Sequence, residues 1–291
     1  MKVGFLGTGL MGLPMAQRLL AANIELVAYN RTSEKLAPLQ SAGVAIATDA
    51  DEVVAECECI ILMLTDADAI RHVLLSPASQ QHLKGRTIIQ MGTITPTDSK
   101  GIQQQVTAAG GDYLEAPVLG SIPEAQAGKL IVMVGSSPAQ FQQWLSLLQN
   151  FGSEPLHIGD VGSAAAVKLA LNQLIASLTS AFALSLSLVQ RQGIDVEVFM
   201  QILRQSALYA PTFDKKLQRM LDRNYDNPNF PTKHLLKDTN LFLSEARSLG
   251  LNISHLDGIR QILETAIAQG LSEADYSSLF SAIAPEKASD T

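Results

Sequence analysis

The opening segment, "KVGFLGTGLMGLPMAQRLL", restricts the fold of this chain more than any other. A short β-like run leads into Gly7-x-Gly9-x-x-Gly12, and the apolar positions that follow recur with helical spacing. A strand that turns through glycines into a helix opens a parallel α/β sheet, and the same turn can cradle phosphate. Gly7 would permit the tight turn, Gly9 would let backbone approach a diphosphate, and Gly12 would let the helix pack closely on the strand. The anion would lie on the helix N-terminus beside Leu10 and Met11, where free N–H groups and the helix dipole favour negative charge. A purely structural glycine turn is the alternative, and the strand–turn–helix context speaks against it.

The first half continues this alternation. "KVGFL", "IELVAY", "VAIA", "CIILML", "RTIIQ", "DYLEA", "LIVMV" and "PLHIG" read as strands, bounded by Gly, Asp or Pro. Between them, residues 11–22, 33–42, 97–109 and 138–148 carry helical periodicity, so the sheet is expected to be mostly parallel. After about Gly162 the strands stop. "SAAAVKLALNQLIASLTSAFALSLSLVQRQG" reads as one long helix ended by Gly193, with further helical patterns at 196–205, 212–222, 232–249, 256–269 and 275–282. The expectation is an α/β N-terminal Rossmann domain over 1–161 and an all-α domain over 162–291, joined by the long helix. The closing "PEKASDT" is polar and is expected to fray.

Composition narrows the partners. The 291 residues are 47% hydrophobic and 17% charged, which suits a packed globular chain. The net charge is −7 with no basic run to offset it, so nucleic acid and anionic membranes are not expected as partners. Cys57 and Cys59 stand too close for an ordinary disulfide and lack a second Cys or His pair for zinc, so no metal site is expected. The first 16 residues resemble a signal peptide in charge and hydropathy, yet their glycines fit the nucleotide motif better. Residues 169–189 are long enough to span a bilayer, but Asn172, Gln173 and several hydroxyls interrupt them. With no targeting extension visible, a cytoplasmic protein is expected.

The end of the second strand bears on which dinucleotide is bound. A carboxylate there would accept from a ribose 2′-hydroxyl. The chain has Asn30, Arg31 and Thr32 instead, and an arginine can fork onto a 2′-phosphate, so NADP(H) is preferred. Taken alone, Arg31 is equally well a solvated surface charge.

Lys168 is the one charge in an otherwise apolar helix, with Asn172 four residues on and on the same face. Reduction of a carbonyl by a nicotinamide needs a proton donor for the developing alkoxide. Desolvation would lower the lysine pKa towards neutrality and suit it to that role. The structural alternatives are a snorkelling lysine and a helix-packing amide.

"FLGTGLMGLPMA", "EAPVLGSIPEAQAGKLIVMVG", "GDVGSAAAVKLALNQL" and "FPTKHLLKDTNLFLSEA" together resemble the β-hydroxyacid dehydrogenases, in order and across nearly the whole chain. The resemblance implies that Lys168 is the catalytic lysine and Asn172 its active-site neighbour. It implies that Leu64, Thr65 and Thr93 line the cofactor site near the nicotinamide, with Lys237 near the cofactor and Asp238 and Phe230 on the substrate side. Without it, Lys237 and Asp238 would read as a solvated pair and Phe230 as a core aromatic. Where most of the family has Ser-Gly-Gly, this chain has Leu119-Gly120-Ser121, a form similar to the glyoxylate and succinic semialdehyde reductases. Backbone N–H groups of that loop and the Ser121 hydroxyl would hold a substrate carboxylate. Gln173 replaces an asparagine common in the family, and "MGT" replaces a more polar stretch around Thr93.

The function expected from these features is NADPH-dependent reduction of a small anionic aldehyde acid, such as glyoxylate or succinic semialdehyde, to the hydroxy acid. A 3-hydroxyisobutyrate-type dehydrogenase is the alternative. An imine reductase, or a non-catalytic Rossmann module of the kind found in chromatin-associated proteins, fits Lys168 and Asn172 less well. The apolar helical half points to a homo-oligomer.

Overall fold

A computed structural model describes residues 1–285. Of the tail expected to fray, all but Pro285 lies outside the described residues.

Among the described residues nine strands form one sheet: β1 (Lys2–Leu6), β2 (Glu25–Tyr29), β3 (Ala45–Ile46), β4 (Cys59–Leu62), β5 (Thr87–Gln90), β6 (Asp112–Glu115), β7 (Val118–Leu119), β8 (Ile131–Gly135) and β9 (Leu156–Gly159). Their order is β3-β2-β1-β4-β5-β6-β8-β7, with β9 on β8. β1 to β6 pair in parallel, β8 runs antiparallel to β6 and β7, and β9 is parallel to β8. Helices cover both faces, which is why β4 is a continuous buried run, "CIIL". Alternate residues serve opposite faces: Ile61 packs with Phe5, Ile89 and Leu114, while Ile60 and Leu62 pack with Leu6, Ile88 and Tyr113. The strand order reverses between β1 and β4, and the carboxyl ends of these two strands form the switch point where open α/β sheets bind ligands.

Cys57 and Cys59 are both buried and free. Burial pushes the Cys57 thiol up to about 11 and Cys59 further, so neither is a nucleophile at neutral pH.

Several expected elements differ in detail. The helix expected at 33–42 is a 3-10 turn at Ser33–Leu36 followed by a short α-helix at Ala37–Ser41. Pro38 has no N–H to continue the first turn and instead starts the second. The strand expected at 44–47 pairs over two residues only. Helices at Ala50–Glu56, Ala67–Leu74 and Pro77–Gln80, and strand β7, are too short to show a period in the sequence.

The remainder is helical: Ser163–Arg191, Val196–Gln205, Pro211–Asp222, Thr232–Ser248, Ser254–Ala268, and a 3-10 turn at Tyr276–Ser278 leading into Leu279–Ile283. The long helix closes at Gly193, whose φ of +69° is the left-handed conformation of a helix C-terminus. Ala176, Phe182, Ala183 and Leu186 of that helix pack with Met200, Phe213, Leu235 and Leu263. Phe182 and Phe213 stack with ring centroids 4.7 Å apart. Asp275 is fully buried in this core, and both its oxygens lie 2.9 Å from Lys216 Nζ, which sits over the Tyr276 ring. By contacts the chain divides into two compact units, Met1–Leu169 and the residues from Ala170 on, so the division falls inside the long helix. That helix is long and apolar enough to cross a bilayer, the one such among the described residues.

Candidate active site

In the first unit, the expected cofactor residues gather at the carboxyl edge of the sheet. Gly7 leaves β1 at φ +100° and donates its N–H to Tyr29 O at 2.9 Å. A Cβ on Gly7 would strike the Met63 carbonyl, and one on Gly12 would strike the Gly7 carbonyl. Gly9 differs: a Cβ there would meet nothing within 4 Å. The helix that follows, Gly12–Ala21, has neither a side-chain cap nor an acidic residue in its first turn. Crowding therefore fixes the shape of the turn at Gly7 and Gly12, while space remains above Gly9 in front of uncapped N–H groups. A nucleotide diphosphate fits such a cradle by both shape and charge. Leu10 is exposed and Met11 half-buried beside it.

At the end of β2, Asn30 turns inward. Its Oδ1 accepts the Thr8 N–H at 3.0 Å and its Nδ2 donates to Thr32 O at 2.8 Å, so the side chain braces the glycine turn. Arg31 is exposed and makes no hydrogen bond or ion pair among the described residues. At the ends of β4 and β5, Leu64 and Thr93 are half-buried and Thr65 is exposed. Gln90 grips the turn before Thr93, accepting from Gly92 N–H and donating to Gly92 O at 2.5 and 2.9 Å. That brace was not anticipated, because a glutamine at a strand end carries no distinctive signal.

Lys168 is half-buried in the second turn of the long helix. The first turn is tied to the same sheet edge. Glu115, the last residue of β6, accepts the Gly162 and Ala165 N–H groups at 2.8 and 3.0 Å. Strand β6 runs parallel to β5, and through it to β4 and β1, so the lysine-bearing helix starts from the edge that holds the glycine turn. Glu115 had no assigned role in the sequence.

The loop expected to receive a carboxylate is already engaged. Gly120 has φ +139°, and Ser121 caps the short helix Ile122–Ala127. The Ser121 N–H and hydroxyl both donate to Glu124 Oε2, at 2.8 and 2.5 Å.

The second unit brings Asn172, Lys237 and Asp238 together. Asn172 Nδ2 donates to Asp238 Oδ2 at 2.6 Å, and both residues are buried. Lys237 Nζ lies 2.8 Å from Asp238 Oδ1, an ion contact outside hydrogen-bonding geometry. Asp238 Oδ1 is thus met by the Lys237 ammonium alone, and Asn172 Oδ1 is a buried acceptor without a hydrogen bond, open to a donor from a ligand or water. Phe230 is stacked on His234, one turn before Asp238 on the same helix, with centroids 6.4 Å apart, and is edge-on to Tyr276. Burial, then the charges of Lys237 and Lys233, holds the His234 imidazole below its usual pKa.

Residues 2–159 match the family model for the NAD binding domain of 6-phosphogluconate dehydrogenase. Residues 162–283 match the model for the NAD-binding of NADP-dependent 3-hydroxyisobutyrate dehydrogenase. The chain is 31% identical over 288 residues to glyoxylate/succinic semialdehyde reductase 2, chloroplastic, of Arabidopsis thaliana, covering 98% of this chain and 80% of that protein. It is 32% identical over 287 residues to the 2-hydroxy-3-oxopropionate reductase of Escherichia coli (strain K12), covering 97% of each. Its fold is shared with Mycobacterium tuberculosis 3-hydroxyisobutyrate dehydrogenase solved with L-serine, at a TM-score of 0.87 and 22% identity over 96% of this chain and 97% of that one.

Proposed function

Because the chain belongs to the β-hydroxyacid dehydrogenase family, NAD(P)-dependent oxidoreductases of hydroxyl and aldehyde groups, we propose that it uses NADPH to reduce small aldehyde acids. Glyoxylate and succinic semialdehyde are the favoured substrates, with the hydroxy acid as product. The observation that carries this reading is the lysine-bearing helix starting from the sheet edge that holds an open glycine cradle.

When bound, the dihydronicotinamide supplies a hydride to the aldehyde carbon. The residues of the chain bind, orient and move the proton. The glycine turn and the first N–H groups of helix Gly12–Ala21 hold the diphosphate, and Arg31 pairs with the 2′-phosphate. No carboxylate stands at the end of β2 to favour a free 2′-hydroxyl, and Asn30 is occupied with Thr8 and Thr32. Lys168 Nζ gives a proton to the substrate oxygen as negative charge develops there, and takes it back in the oxidative direction. Asn172, one turn further along the same helix, offers its unpaired Oδ1 while Asp238 fixes its amide nitrogen. The substrate carboxylate binds at Gly120 and Ser121 by taking over the two donors now given to Glu124.

The match of the C-terminal half to a 3-hydroxyisobutyrate dehydrogenase model supports a second reading, oxidation of a β-hydroxy acid. NADPH consumption measured with glyoxylate, succinic semialdehyde and methylmalonate semialdehyde, with NADH in parallel, separates the two. Turnover of the first two with NADPH preferred is expected. Activity confined to the third, or preference for NADH, would replace the first reading with the second.

A homo-oligomer is part of the proposal. Leu184, Leu188, Ile194, Val198, Ile202 and Leu208, on two successive helices and the turns that follow them, are each about half exposed or more, apolar surface that association would cover. Light scattering on the purified chain should give at least twice the mass of one chain.

A further inference from the structure

The long helix begins without a cap of its own. Its N-cap position is Gly162, which has no side chain, lies at φ +102°, and would carry a Cβ only by displacing Lys100. Ser163, Ala164 and Ala165 follow, and the Ala166 N–H makes the first intrahelical bond, to Gly162 O at 3.0 Å. The N–H groups before that bond need acceptors from elsewhere. In a capping box, one side chain takes the N–H of the third helical residue and another takes that of the N-cap. In this helix both tasks fall to one oxygen, Glu115 Oε1, which accepts from Gly162 and Ala165 at 2.8 and 3.0 Å.

The carboxylate is itself held. Its Oε2 accepts the Ser99 hydroxyl, and the Ser99 oxygen lies 2.9 Å from the Tyr113 hydroxyl. Ser99, Tyr113 and Glu115 are all buried. Gly135 faces Glu115 from β8, and a Cβ there would collide with the carboxylate. Burial pushes the Glu115 carboxyl up, while bonds from Ser99, Ala165, Gly162 and Ala164 pull it down. Every one of these partners donates, which suits the ionised form.

We propose that Glu115 is a positioning residue: its carboxylate, bonded to the Gly162 and Ala165 N–H groups, fixes the start and direction of the helix that carries Lys168. Lys168 follows Ala165 by three residues, less than one turn, so a change in how the first turn sits reaches the lysine almost undiminished. Displacement of a reacting group by about 1 Å can cost on the order of 100-fold in rate. The turnover readout rests on the function proposed above; the placement itself does not.

Two substitutions separate reach from charge. Glu115→Gln keeps the length and an acceptor oxygen but loses the charge. Glu115→Asp keeps the charge but is shorter by one methylene, so it can hold the N–H groups only if the helix start moves. The full chain and both variants are compared for aldehyde-acid reduction, NADPH binding by fluorescence titration, and amide hydrogen exchange without nucleotide. We expect kcat to fall at least about 10-fold in Glu115→Asp and less than about 3-fold in Glu115→Gln, with NADPH Kd within about twofold in both. Exchange across residues 162–168 should quicken in the aspartate variant and stay near wild type in the glutamine variant. A glutamine variant as slow as the aspartate one, or two variants with wild-type kcat, overturns the proposal. If the wild type reduces no aldehyde acid, the functional reading fails, and exchange decides alone: no difference between Glu115→Asp and wild type across 162–168 overturns the positioning role.

Discussion

Two helix N-termini at one sheet edge are treated in opposite ways. Helix Gly12–Ala21 starts with no side-chain cap, with open space over Gly9. Helix Ser163–Arg191 starts against a buried carboxylate supplied by β6. Both ends attract an anion through the same partial charges. The first is left open, which costs stability and suits a ligand that comes and goes. The second is filled by the chain itself, which suits a helix whose place must not vary. On this view the open end serves binding and the filled end serves chemistry.

The largest expected effect comes from separating those duties. Lys168→Ala should lower kcat by roughly 10² to 10⁴, the usual range for loss of a proton donor, while NADPH binding by fluorescence titration stays within about twofold. Retained turnover would remove the lysine from the chemistry and break the contrast. Gly9→Ala is the converse. Its φ lies outside the left-handed region and its Cβ meets nothing, so Tm should move by no more than about 2 °C while NADPH Kd rises at least about 10-fold. Gly12→Ala drives a Cβ into the Gly7 carbonyl and should lower Tm as well, through about 1–3 kcal/mol of overpacking. Equal melting losses at Gly9 and Gly12 would show that the space over Gly9 is not kept for a ligand.

The open end was legible in the sequence because everything it needs is local: a strand, three glycines and a helix within twenty residues. Lys168 stood out for a different local reason, as a lone charge in an apolar helix. The filled end was not legible. Glu115 lies 47 residues before Gly162, and at the end of "DYLE" it looks like any polar residue leaving a strand. Asn172 and Asp238 are 66 residues apart, and their bond depends on the packing of two helices. Ser121 was half legible. Its S-x-x-E spacing is a capping-box signature as well as part of a loop that the family resemblance gives to the substrate, and the spacing alone does not say which partner holds the hydroxyl.

Arg31→Ala tests the open end's choice of nucleotide. The side chain is exposed, so its pairing with a 2′-phosphate is partly screened, and the expected loss is roughly 10-fold in kcat/KM for NADPH. The value for NADH should not change. Equal losses with both nucleotides would mean that Arg31 shapes the β2 turn rather than reading the phosphate.

The smallest expected effect concerns an anion that the chain holds but should release. Glu124 takes both donors of Ser121, as Glu115 takes those of Gly162 and Ala165, yet Glu124 is half-buried whereas Glu115 is buried. Water can solvate Glu124 as it lets go, so a substrate carboxylate can displace it; Glu115 has no such route. Glu124→Gln removes one negative charge beside the proposed carboxylate site, worth about 1 kcal/mol at a few ångströms in water-like surroundings. KM for the aldehyde acid should therefore fall by about two- to fivefold at unchanged kcat, with little change for an uncharged aldehyde of similar length. An increase in KM for the acid alone would show that Glu124, like Glu115, is a fixed cap, and that the substrate carboxylate binds elsewhere.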